Sequence, residues 1–185
     1  MTDNSDDLKG LGGWLILVGL GVVLGPFRIA VEIGPLFYEI LTDGSYELLT
    51  TPGSEAYHPM WEPLLIFEIV YNASIILASC YLAFLYFTKH YLFPKVYIAL
   101  VLFSLVFIPL DAWLASFVLT DEPMFDPETA KEFYRALALA VIWVPYMLRS
   151  QRVKATFVEN MPDKPSQQGV SDADEAILDV NHTDT

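Results

Sequence analysis

The sequence predicts an all-α integral membrane protein, a four-helix bundle with both termini in the cytoplasm. Hydrophobic residues make up 54% of the 185 residues and charged residues only 18%. A soluble domain is closer to half apolar and a quarter charged. The apolar residues are grouped in long runs, and Lys and Arg lie mainly on one side of these runs. These observations together indicate a membrane protein with a defined orientation.

Long apolar runs define the predicted helices, and they cover residues 11–41, 63–87, 96–119 and 133–148. About 20 helical residues cross the apolar core of a bilayer, so the first three runs are long enough and the fourth is short. The first run follows an acidic flank, and no small-residue cleavage site follows it. We therefore interpret it as a retained helix and not as a signal peptide.

The positions of Lys and Arg predict the orientation, because positive flanks resist translocation. Of the 10 basic residues, Lys131 is placed in an outer loop, and Arg28 and Arg135 fall inside helices. The others all fall on one side of a four-helix arrangement: Lys9, Lys89, Lys95, Arg149, Arg152, Lys154 and Lys164. Both termini are therefore expected in the cytoplasm.

The same pattern divides the chain into three parts. Residues 1–10 form a cytoplasmic N-terminal segment, residues 11–158 the domain of four transmembrane helices, and residues 159–185 an acidic cytoplasmic tail. The tail mixes acids with Pro, Ser and Gln, and this composition predicts disorder.

A basic segment, "RSQRVKATF", follows the fourth run. Its cations, Arg149, Arg152 and Lys154, alternate with Val153 and Phe157. We expect a basic anchor at the membrane interface, where cations meet anionic lipid and apolar side chains enter the bilayer. A simple stop-transfer signal and a protein-docking patch are the alternatives.

Several charged residues interrupt the apolar runs: Arg28, Glu32, Glu68, Asp111 and Arg135. Each helical residue advances about 1.5 Å, so the predicted topology places all of them in the outer half of the membrane. A charge at the centre of a lipid-exposed helix costs about 2.5 to 3.5 kcal/mol. We therefore expect these side chains to face one another or water, with Asn72 as the floor of the cluster.

This cluster has two interpretations, and the sequence leaves both open. The charges could form an ion-pair network that holds the outer ends of the helices together. They could instead line a polar cavity that binds a small ionic or amphipathic ligand, such as a lipid headgroup. Arg28 precedes Glu32, which is the less favourable order for an ion pair within one helix, so we expect partners on other helices.

Small residues in the first run include one G-x-x-x-G motif, from Gly21 to Gly25. Such motifs let helices approach closely, and we expect packing within the bundle. Motifs of hydrolases, metalloproteases and phosphate loops are missing from the sequence. We expect no catalytic residue, metal or cofactor, and no nucleic-acid partner.

Both ends of the helical region resemble a known family. The stretches "LKGLGGWLILVGLGVVLGPFR" (8–28) and "WVPYMLRSQRVKATF" (143–157) are similar to the ends of a bacterial family of small membrane proteins, domain of unknown function 2569. The resemblance covers roughly residues 8–158 and excludes the acidic tail. It implies four transmembrane helices in the bacterial cytoplasmic (inner) membrane, and it carries over no activity.

The expected function is therefore non-enzymatic: binding of a protein partner, a second copy, a lipid or a small ligand by a protein embedded in the lipid bilayer. The alternative is a small transporter or carrier that uses the charged cluster as its substrate site.

Overall fold

The computed structural model describes residues 9–121, 123–158 and 160–161, and within them the secondary structure is helical, without β-strands. The helices are α1 (Trp14–Thr42), α2 (Ser45–Thr50), α3 (Trp61–Phe87), α4 (Phe93–Ala115), α5 (Pro127–Arg149) and α6 (Gln151–Thr156). The predicted all-α class is confirmed. Most of the predicted segment 1–10 and of the acidic tail 159–185 lies outside the described residues.

Three of these helices, α1, α3 and α4, are long and apolar enough to cross a membrane. They cover most of the first three predicted runs, although α1 begins at Trp14 and α4 ends at Ala115. This confirms a multi-pass membrane protein at this level. Helix α5 contains the fourth run and is 23 residues long. It is less apolar because charged residues occupy its first turns, and its crossing of the membrane stays a prediction.

The long helices pack in chain order: α1 on α3, α3 on α4, and α4 on α5. The loop between α1 and α3 contains the short helix α2, which packs against both. Helices α1 and α5 do not pack along their lengths. They approach each other at Trp14 and Trp143, whose ring centroids are 6.4 Å apart in an edge-to-face arrangement.

The core lies at one end of the bundle, which we call the inner end. Leu15, Phe93 and Val153, from α1, α4 and α6, are each at most 1% exposed there. The rings of Phe93 and Phe157 stack with their centroids 4.4 Å apart. The Tyr86 hydroxyl donates a hydrogen bond to the carbonyl of Leu15, at 2.7 Å. Apolar burial and ring packing therefore hold the start of α1 and the α6 segment against the α3–α4 hairpin.

Hydrogen bonds between the Gly10 backbone and the Thr156 side chain also join the two ends of the helical region. The Gly10 N–H donates to the Thr156 hydroxyl at 3.2 Å, and that hydroxyl is 3.1 Å from the Gly10 carbonyl, to which it donates. A Cβ on Gly12 would lie only 3.0 Å from Nη1 of Arg152. The two sequence stretches that carry the family resemblance are thus direct neighbours in space.

This arrangement corrects one expectation about the basic segment. Val153 and Phe157 are 1% and 3% exposed, so they pack inside the protein and do not enter the bilayer. The cations of the predicted anchor lie at the inner end, with Arg149 and Lys154 exposed and Arg152 half-buried against the glycines of the N-terminal stretch. Their contact with lipid remains a prediction.

The prediction that the Gly21–Gly25 motif packs against another helix within the bundle is wrong. A Cβ added to either glycine would meet no atom within 4 Å. Close approach occurs instead at Gly19, where an added Cβ would lie 2.6 Å from Cζ of Tyr86. The sequence shows small residues but does not show which of them faces a neighbouring helix.

Candidate functional site

A cavity of about 310 Å³ lies in the half of the bundle away from the inner end, and side chains from α1, α3, α4 and α5 line it. We call it the polar cavity. Every member of the charged cluster predicted from the sequence lies on its wall: Arg28, Glu32, Glu68, Asn72, Asp111 and Arg135. The structure therefore brings these six residues together around an open space.

The side of the cavity formed by α3 and α4 holds the half-buried polar groups. The Asn72 side-chain amide donates to Oε2 of Glu68 at 3.1 Å and to the Glu68 carbonyl at 2.9 Å. Glu68 on α3 and Asp111 on α4 both line the cavity. Oδ1 of Asp111 is enclosed and accepts no hydrogen bond from any described residue. Each of the two helices thus contributes a carboxyl group to this side of the cavity, and Asn72 orients that of Glu68.

The side formed by α1 carries an ion pair. Nη2 of Arg28 lies 3.4 Å from Oε2 of Glu32, and the two side chains are 46% and 47% exposed. We expected their partners on other helices, and this expectation is wrong. The unfavourable order along the helix amounts to only a few tenths of a kcal/mol, too little to separate two charges that share one helix face.

Helix α5 contributes a carboxylate that the sequence reasoning missed, Glu132, together with Thr129. The predicted fourth run began at Phe133, whereas α5 begins at Pro127. The carboxylate of Asp126 caps this helix by accepting the backbone N–H of Thr129 at 2.7 Å, and this hydrogen bond lowers the pKa of Asp126. An Asp-Pro pair is a helix-start signal and would have placed Glu132 on the helix.

Two stacked aromatic rings complete the α3–α4 side of the cavity. The rings of Tyr71 and Phe107 are nearly parallel, with centroids 3.4 Å apart, and both residues line the polar cavity. Tyr71 follows Glu68 by three residues and Phe107 precedes Asp111 by four, so helical spacing places each ring beside a carboxyl group. Aromatic residues are common in membrane helices, and the sequence alone did not distinguish these two.

The cavity carries an excess of acidic groups. Glu32, Glu68, Asp111 and Glu132 line it, against the guanidinium groups of Arg28 and Arg135. The set predicted from the sequence left out Glu132, because the predicted fourth run began at Phe133. Among the described residues, no three His, Cys, Asp or Glu side chains form a group that could hold a metal ion.

A second cavity, of about 320 Å³, adjoins the first, and we call it the apolar cavity. The two share the wall residues Ile29, Ile75, Ser104 and Leu139. Gly21 and Gly25 line the apolar cavity together with Val22, Leu82 and Trp143. The absence of side chains on these two glycines leaves the space open, which explains why an added Cβ meets nothing there.

A third, smaller cavity of about 100 Å³ lies beyond the polar cavity, at the start of α5 and the end of α4. It shares Asp111 and Thr129 with the polar cavity. The three spaces therefore adjoin one another in a row, and the polar cavity is the middle one.

Residues 8–158 match one family model, described as "Protein of unknown function (DUF2569)". This match covers most of the 185 residues. The chain belongs to that family. The resemblance of its terminal stretches is thus confirmed, and both stretches contribute residues to the inner end, such as Leu15 and Phe157. No match to the chain is found among curated proteins or solved structures.

Proposed function

We propose that this DUF2569 protein is a non-enzymatic binding protein for an amphipathic small molecule of the membrane. The head of the ligand occupies the polar cavity and its tail the apolar cavity. One observation carries the proposal: the two cavities share part of their walls, and the lining changes from charged to apolar across that boundary. Each cavity has a volume near the lower end of the roughly 300 to 1,000 Å³ that is typical of small-molecule sites.

The exposure of the charged side chains supports entry from the side of the bundle. Arg28 and Glu32 on α1 and Arg135 on α5 are exposed, whereas Glu68 and Asp111 on α3 and α4 are half-buried. The cavity thus faces the gap between α1 and α5, the two helices that do not pack along their lengths. A ligand dissolved in the bilayer would enter through this gap.

The proposal includes a four-helix bundle with cytoplasmic termini in a bacterial inner membrane. A helix of 23 residues is about 35 Å long at 1.5 Å per residue, which is enough to cross a bilayer core of about 30 Å. Glu132 and Arg135 of α5 line the cavity, so α5 would not expose them to lipid. Reporter fusions at Lys89 and Thr120 should give a cytoplasmic and a periplasmic signal, respectively, and the reverse result would contradict this orientation.

Filling the apolar cavity tests the binding function. Gly25→Leu adds a side chain where a Cβ meets no atom within 4 Å, so the helix should tolerate it while the cavity loses the volume needed for a tail. Gly34→Leu is the matched control, because Gly34 lies in the same helix, is equally open and lines neither cavity.

Native mass spectrometry of protein purified in mild detergent would measure bound amphiphiles. We expect a retained molecule in the wild type and in Gly34→Leu, and its loss in Gly25→Leu with an unchanged thermal midpoint. Equal retention in both variants would place any bound molecule outside the cavities and contradict the proposal.

A transporter is the second candidate, and the row of three cavities favours it. The small cavity beyond Asp111 and Thr129 extends the polar cavity toward the outer end of the helices, as a release route would require. Liposomes that contain the protein would distinguish the two functions. A carrier would move a labelled amphiphile between leaflets at a rate that Gly25→Leu abolishes, whereas a binding protein would retain it without transfer.

A further inference from the structure

The head-binding part of the site has features that select among head groups. Four carboxyl groups and two guanidinium groups line the polar cavity, and Arg28 is already paired with Glu32. This leaves Glu68, Asp111 and Glu132 against Arg135. The excess charge is negative, and it lies on the half-buried side, where solvent screens it least.

The α3–α4 side holds an incomplete hydrogen-bond arrangement. Glu68 and Asp111 both line the polar cavity, and an ionised carboxylate accepts hydrogen bonds but donates none. Oδ1 of Asp111 is enclosed without a donor. Two carboxylates that share one site repel each other unless a proton or a positive group lies between them. An ammonium group supplies both the charge and several N–H donors.

The aromatic rings favour the same class of head group. Tyr71 lines the cavity one helical turn from Glu68. One face of its ring stacks on Phe107, and the other face of a tyrosine ring attracts cations. A carboxylate pair beside aromatic rings suits a positively charged nitrogen and disfavours phosphate or sulfate. The geometry points to a primary amine as the head group of the ligand, held between Glu68 and Asp111 while its alkyl tail fills the apolar cavity. This inference rests on the proposed function and adds the chemical class of the ligand.

Fluorescence quenching measures this preference directly, because Trp143 lines the apolar cavity. Replacing Trp14, Trp61 and Trp113 by Phe leaves Trp143 as the single tryptophan of the protein. The probes are alkyl chains of one length that carry bromine near the tail end and differ in the head: primary amine, hydroxyl or phosphate. Bromine in the apolar cavity would quench Trp143, and saturation with probe concentration gives the affinity.

We expect the amine probe to bind at least about tenfold more tightly than the hydroxyl probe, because a hydrogen bond to a charged group contributes about 1.5 to 3 kcal/mol. Glu68→Gln and Asp111→Asn should reduce this preference about tenfold each. Glu62→Gln is the matched control, because Glu62 is an exposed residue in the first turn of α3 and lines none of the cavities. It should leave the preference unchanged.

The outcomes separate the two proposals. If no probe quenches Trp143 in a saturable way, the proposed amphiphile binding fails. If the hydroxyl or phosphate probe binds as tightly as the amine, amphiphile binding stands and the amine inference is wrong. A proton shared between Glu68 and Asp111 would then take the place of the ammonium group. If ethylamine competes as strongly as the amine amphiphile, the ligand is a free amine, and the inference of an amphipathic ligand is wrong. The comparison of the three probes uses the cavity with its carboxyl groups intact, so it does not depend on whether a carboxyl variant folds.

Discussion

The inner end of the structure and the opposite half, which holds the polar cavity and which we call the outer half, are built from opposite kinds of contact. At the inner end, Phe93 and Phe157 stack in full burial and Tyr86 bonds to the Leu15 carbonyl. In the outer half, charged side chains surround an open cavity. Close packing of apolar groups stabilises a fold, whereas charges inside a membrane protein cost free energy and are by default a hypothesis of function. The contrast suggests that folding depends on one end and binding on the other.

The largest loss of stability is expected for Phe157→Ala at the inner end. Removing a buried phenylalanine side chain costs about 3 to 5 kcal/mol, and Phe157 is 3% exposed. Denaturant titration in detergent would measure the change in the free energy of unfolding. Phe84→Ala is the control, because Phe84 is 60% exposed, and a loss of equal size in both variants would contradict the assignment of the core.

A smaller loss is expected for Gly19→Ala, since the new Cβ would overlap the Tyr86 ring. Overpacking of this kind costs about 1 to 3 kcal/mol. Gly21→Ala, two residues later on the same helix, meets no atom within 4 Å and should be neutral or slightly stabilising. Thermal midpoints that fall equally for both substitutions would show that helix α1 and not its contact with Tyr86 is responsible.

Little or no loss is expected for Glu68→Gln and Asp111→Asn in the outer half. Neutralising one of two carboxyl groups that line the same cavity reduces their repulsion, so the thermal midpoint should stay constant or rise. Unfolding of both variants in detergent would instead identify the charged cluster as an ion-pair network that holds the helices together, the other interpretation of these residues.

The smallest effect is expected at the start of α5. The pKa of Asp126 is lowered because its carboxylate accepts the Thr129 N–H, so this group stabilises the fold above its unfolded pKa and loses the contribution as the pH falls through the folded value. Asp126→Ala should lower the thermal midpoint slightly at pH 7. The difference from the wild type should vanish at strongly acidic pH, and a difference that persists there would exclude the carboxylate as its cause.

Charges in the membrane were the most predictable part of the site. A lipid-exposed charge costs free energy, so once their depth was assigned these charged residues were expected to face one another or water. The structure places Arg28, Glu68, Asp111 and Arg135 around the polar cavity. Glu132 was missed because the ends of a helix are difficult to assign from sequence and this helix starts with polar residues.

Apolar residues were less predictable, because lipid and protein interior attract them equally. Val153 and Phe157 would suit a helix at the membrane interface, but they lie in the protein core. Gly21 and Gly25 would suit a close contact between helices, but they line an open cavity. The sequence shows the composition of a helix face, and the packing of the other helices decides what that face meets.

The most direct test of the ligand site is to locate a brominated amphiphile in a crystal of the protein by anomalous scattering. Binding as proposed here predicts a bromine peak in the apolar cavity, between Gly25 and Trp143, and the head group beside Glu68. Bromine found only on the outward, lipid-facing sides of α1 and α4, with both cavities closed by side chains, would contradict it.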